Sequence, residues 1–168
     1  TLDENYRGIK PDDDVDDLLF ISRYLNKQIE ARKATEESLS RTVELLKTLL
    51  VNLQSGILVE DENQTILFSN QLFWDQKKKS ITPEETEGID FSVQFEENKF
   101  VYKEPEVFVS RVKELLLHKK TVIGELIETT DNRFLERDFI PIFIDKIHKG
   151  HLWKFTDVTD RILNQKLL

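Results

Sequence analysis

Between Val15 and Gln54 the chain carries no proline or glycine, and Leu18, Leu25, Arg32, Leu39, Leu46 and Leu53 fall seven positions apart. Ile21, Gln28, Thr35, Thr42 and Leu49 occupy the second seam position of the same register. A heptad stripe of this kind predicts a long helix whose seam needs a partner. About 40 residues at the usual rise would reach roughly 60 Å, longer than a small core can cover. The expected solution is a parallel homodimeric coiled coil through this N-terminal helix. Two shorter helices, broken between Ala31 and Glu37 where the stripe turns polar, are the alternative.

After Gly56 the apolar period falls to two. Ile57-Leu58-Val59 and Thr65-Ile66-Leu67-Phe68 flank the turn Asp61 to Gln64, which predicts an antiparallel hairpin. Asn70 suits a helix cap, and Leu72 and Phe73 then face inward. From Pro83 to Lys103, Gly88 marks a turn and Phe91, Val93, Phe95 and Phe100 serve as apolar anchors. A helix follows Pro105, with Val107, Phe108, Val112, Leu115, Leu116 and Ile123 beyond it as its buried set. Thr121 to Thr129, Phe134 to Ile144 and Gly150 to Thr156 read as strands, joined by turns at Asp131-Asn132 and Lys146 to Lys149. In the last of them His151, Trp153 and Phe155 alternate with Leu152, Lys154 and Thr156. Asp157 or Thr159 can then cap a closing helix whose first turn holds Asp160.

Charge and composition narrow the functional classes. The 168 residues carry a formal net charge of −8, which disfavours nucleic acid and anionic lipid as partners. The absence of cysteine excludes thiolate metal sites, cysteine nucleophiles and cysteinyl cofactor adducts, covalent flavin adducts included. No apolar run is long enough to span a bilayer, so no membrane contact and a cytoplasmic location are expected for this segment. The cluster Asp12, Asp13, Asp14, Asp16 and Asp17 lacks the glycine and distal glutamate of a calcium loop and reads as helix-entrance charge. His118, His148 and His151 do not have metal-ligand spacing, and no metal site is expected. Lys77 to Lys79 reads as a solvated run without function.

Two stretches carry a resemblance. LLVNLQSGILVEDENQTILFSNQLF is similar to the opening of the PAS domain family, with Asp61 ending the first strand and Asn70 the second. RDFIPIF followed by GHLWKFTDVTDR is similar to its last two strands and its D-x-T-x-R exit motif, here Asp157, Thr159 and Arg161. The family's usual turn glycine after the first aspartate is missing, leaving Asn63 or Gln64 to supply the backbone freedom. The resemblance spans about Leu45 to Leu163. It implies an α+β fold with a five-stranded antiparallel sheet in the order 2-1-5-4-3 and helices on one face, here preceded by a long coiled-coil helix.

On this reading, 1–14 is a flexible or upstream segment, 15–54 a signalling helix, 55–158 the PAS domain and 159–168 the start of an exit helix. Asp157, with Thr159 and Arg161, is expected to couple strand to helix, the carboxylate pairing with the guanidinium. Phe68, Phe73, Phe108 and Phe139 are candidates to line a ligand pocket, against the plainer reading of a dry aromatic core. Glu136 and Asp138 flank Arg137 on one strand, and either carboxylate could fix a polar ligand if it points inward. His118, in the helix where some family members place a haem ligand, sits beside lysines and argues against haem. Non-covalent flavin or another small ligand is left open, and nothing in the sequence identifies which.

The fragment shows no catalytic constellation. The resemblance implies a sensory and dimerisation module that feeds a downstream signalling domain, most often in a sensor histidine kinase of a two-component system. The alternatives are a ligand-free dimerisation spacer, or the input module of a transcriptional regulator or cyclic-dinucleotide enzyme.

Overall fold

The computed structural model describes residues 11–167, with side chains from residue 16 onward. The expectations for 1–10 and for the first acidic side chains lie outside the described residues. Helix α1 runs unbroken from Pro11 to Val51, so the polar stretch from Ala31 to Glu37 does not interrupt it. Its start at Pro11 matches the tolerance of a first-turn position for a residue without an N–H. Leu18, Ile21, Leu25, Leu39 and Leu46 all stand at least half exposed along it.

The compact unit comprises Leu49–Leu168. Its elements are β1 (Gly56–Asp61), β2 (Ile66–Ser69), α2 (Gln71–Gln76), α3 (Gln94–Glu97), α4 (Pro105–His118), β3 (Val122–Glu128), β4 (Phe134–Ile144), β5 (Ile147–Asp157) and α5 (Thr159–Lys166). Short 3-10 turns at Pro83–Glu85 and Lys99–Val101 complete the crossing between the two halves of the sheet. The five strands form one antiparallel sheet in the order β2-β1-β5-β4-β3. One face packs Leu58, Trp153, Phe155 and Phe139 against Phe73, Trp74, Phe91, Phe108, Val112 and Leu115.

Several local expectations are corrected. The β4–β5 turn is the two residues Asp145 and Lys146, both with positive φ, so Ile147 to Lys149 belong to the strand rather than the turn. A pair of left-handed residues matches the twist of the flanking strands, which favours the tighter connection. On α4, Val109 is buried while Val107 is 61% exposed; Ile123, Val93 and Phe100 also face outward. Gln64 adopts the positive φ that the turn after Asp61 requires.

Candidate functional site

The chain enters and leaves the domain side by side. Gly56 on β1 pairs with Phe155 on β5, and the Ser55 hydroxyl lies 2.7 Å from that of Thr156. Asn70, buried between β2 and α2, organises the entry. Its amide nitrogen donates to the Ser55 and Leu50 carbonyls at 2.8 and 3.3 Å. Its oxygen accepts from the N–H groups of Ile57 and Phe73 at 2.9 and 3.1 Å, the latter capping α2. Asp61 works locally: its carboxylate accepts from the Asn63 and Thr65 N–H groups and shapes the β1–β2 turn.

At the exit, the Asp157 carboxylate accepts from both the N–H and the hydroxyl of Thr159. That hydroxyl in turn accepts from the Phe134 N–H at 2.9 Å, and the Phe134 carbonyl accepts from the Val158 N–H at 2.8 Å. The expected pairing of Asp157 with Arg161 does not form. Arg161 pairs instead with Glu136 on β4, while the Asp157 carboxylate is taken up by the N–H and hydroxyl of Thr159. Asp138, also on that face, accepts from the Gly124 N–H at 2.8 Å and lies 3.7 Å from Lys154. Neither carboxylate points inward.

The inward residue of that trio is Arg137. It is 2% exposed, with its guanidinium over the rings of Phe108 and Trp153 at 5.4 and 6.0 Å. Burial holds its pKa below the usual arginine value, while the nearby Glu125 charge acts against that shift. Glu125 is shared. It accepts bidentately from Arg111 at 2.9–3.1 Å and only distantly, at 3.5 Å, from Arg137. Burial would raise the Glu125 pKa, but its bonds to Arg111 and the two positive charges hold it below the carboxylate norm.

Glu60, His151 and Lys77 also lie inside. Glu60, 1% exposed, accepts from His151 Nε2 and, at 3.1 Å, from Trp153 Nε1. The His148 ring lies parallel to that of His151 with centroids 6.0 Å apart. Lys77, expected to be solvated, is 6% exposed; its ammonium donates to the Tyr102 hydroxyl at 2.7 Å and sits over the Phe73 and Phe155 rings at 4.5 and 4.7 Å. The aromatic walls supply cation–π attraction where few acceptors are at hand. His118 is exposed, with its ring bonded to the Glu114 carbonyl.

Of the four pocket candidates, Phe73 and Phe108 line a central cavity together with Glu60, Lys77 and Tyr102. Phe139 is fully buried against Trp153 and His151 rather than on that cavity. Phe68 is a correction: it pairs with Val59 on the outer face, because the β1–β2 ladder slips between Val59 and Glu60 and an unpaired residue reverses the alternation. The cavity measures about 30 Å³. That is room for about one or two waters, not for haem or flavin. A second, open cleft of about 400 Å³ lies between α4 and β3, with Arg137 in its inner wall.

No protein-family model matches the chain. No curated protein sequence matches it either. Solved structures do. The PAS domain of Bordetella pertussis BvgS is similar with a TM-score of 0.53 at 20% identity, over 76% of this chain and 94% of that one. A chain in the structure of the E. coli DhaR(N)-DhaL complex is similar with a TM-score of 0.56 at 13% identity, over 82% of this chain and 43% of that one. The fold is that of PAS domains, with the sheet order expected from the sequence.

Proposed function

We propose that this chain is the sensory and dimerisation module of a multidomain signal-transduction protein, in the first instance a sensor histidine kinase acting in the cytoplasm. The observation that carries the reading is the junction of entry and exit at one end of the β1–β5 pair, where Ser55 meets Thr156 and Asp157 holds the first turn of α5. A displacement of either connection is felt at the other without crossing the core. The exposed leucine seam of α1 supports a homodimer, since an apolar stripe along a helix is stable in water only when covered. In this arrangement α1 brings two copies together, the PAS domain adds a bias, and α5 passes it to a downstream signalling domain.

The test uses the intact protein. Asp157→Ala should change autophosphorylation from ATP while circular dichroism shows the domain folded. A folded variant with unchanged phosphorylation counts against the coupling. No phosphorylation in either protein removes the kinase assignment in favour of a transcriptional regulator or cyclic-dinucleotide enzyme as the output.

A second reading, a ligand-free dimerisation spacer, is favoured by the size of the central cavity. It predicts that the packed domain binds no small molecule, which the cleft beside α4 brings directly to test.

A further inference from the structure

Like Lys77, Arg137 is a charged core side chain whose donors outnumber its acceptors. Arg137 is almost wholly buried, yet its Nε and Nη1 have no hydrogen-bond partner and its Nη2 reaches Glu125 only at 3.5 Å. The Phe108 and Trp153 rings attract the cation but do not replace an acceptor. A buried guanidinium left so poorly matched is costly, and such a group calls for a partner. The other cations around the cleft are already committed. Arg111 is bidentate to Glu125 and also pairs with Glu114 at 3.1 Å, and Lys103 pairs with Glu128 at 2.8 Å. Glu104 stands at the exposed rim. The unspent positive charge is therefore Arg137, at the inner wall.

The lining is mixed: Val107, Phe108, Leu126 and Ile127 supply apolar surface among the paired charges of Arg111 with Glu125 and Lys103 with Glu128. Val107, which its helical spacing assigns to the core, stands 61% exposed at the mouth, and Phe108 and Ile127 line the interior. At about 400 Å³ the cleft lies within the usual range for small-molecule sites. A carboxylate matches a guanidinium end, and an apolar body matches the side chains of Val107, Phe108 and Ile127. We propose that the cleft between α4 and β3 binds a small organic monocarboxylate with an apolar body, its acid group held by Arg137.

This rests on the sensory reading and gives it an input. Arg137 and Glu136 are neighbours on β4 and face opposite sides of the sheet: one meets the cleft, the other holds Arg161 of the exit helix. An acid that draws on Arg137 acts on the strand that positions α5.

The experiment titrates the 168-residue chain with benzoate, butyrate and, as the uncharged counterpart, benzamide at constant ionic strength, followed by ¹H–¹⁵N correlation spectra. Benzoate or butyrate should produce saturable shifts at the Arg137 Nε–H and at the amides of Val107 to Arg111 and Glu125 to Ile127. Benzamide should bind at least about tenfold more weakly, the loss of one charge-assisted pair. Arg137→Met, which suits a buried site, should stay folded and lose the response to acid. Saturation by neither acid, equal response to benzoate and benzamide, or undiminished binding by Arg137→Met would overturn the proposal; if Arg137→Met does not fold, the wild-type comparison decides. Light scattering on the same samples separates the two claims. A dimer that binds no acid loses this site and keeps the module reading, whereas an acid-binding monomer does the reverse.

Discussion

The hydroxyl of Ser55, just before β1, lies 2.7 Å from that of Thr156, near the end of β5, although 101 residues separate them in the chain. The contact closes the gap between the way in and the way out. It is one hydrogen bond, so it does not hold the domain together. Its interest lies in what it joins.

A double-mutant cycle with Ser55→Ala and Thr156→Val should give a coupling of about 0.5–1.5 kcal/mol in chemical denaturation, the usual net worth of such a bond. Additive single effects would show that the two hydroxyls bond independently to water and that the junction rests on backbone pairing alone.

Gly150 on β5 pairs with Asp61 on β1 and leaves no room for a side chain between the strands. A Cβ there would lie 2.1 Å from the Glu60 carbonyl oxygen, and the residue has φ of +149. The bulge beside it, between Ile142 and Phe143 in the β4–β5 ladder, lets His148 and His151 share the inner face. Gly150→Ala should destabilise by about 3 kcal/mol or more, in the range reserved for backbone collisions and strain. A thermal midpoint unchanged from wild type would mean that the strands separate at little cost.

His148 gives the fold a pH dependence of defined sign. Burial, with the Lys119 and His151 charges, lowers its pKa below 6.5, while Glu62 and the Gly150 backbone act the other way. The unfolded chain therefore takes the proton more readily. The contribution of His148 to stability is complete above pH 6.5 and declines as the pH falls below it. Thermal melts from neutral pH down through that value should fall more steeply for wild type than for His148→Gln. Parallel slopes would assign the acid sensitivity to other groups.

These residues also show what a linear pattern can and cannot carry. The heptad leucines, the hairpin about Asp61 to Gln64 and the strand-to-helix change at Asp157 depend on neighbours in sequence, so periodicity and turn chemistry expose them. Phe68 was misplaced because one unpaired residue reverses every later side chain, and apolar alternation does not announce a bulge. Lys77 looks like a solvated residue within its own segment, and its environment is supplied by Tyr102 and Phe155, partners from distant turns and strands. His151 shares the phase of Trp153 and Phe155 in its strand, but its partner Glu60 is 91 residues away. Arg137 was legible as the odd member of Glu136-Arg137-Asp138. Alternation put it opposite the carboxylates, and the outward pairing of Glu136 with Arg161 fixes which side is in.

The central claim is that Asp157 sets the direction of the exit helix in a dimer. With no native cysteine, Gln165→Cys gives a single spin label on α5 in each copy. Electron–electron distance measurements on the labelled chain should give a defined inter-copy distribution, and adding Asp157→Ala should shift or broaden it while circular dichroism remains that of the folded domain. A folded Asp157→Ala dimer with the same distribution, or a chain that yields no dimer at all, would contradict the account.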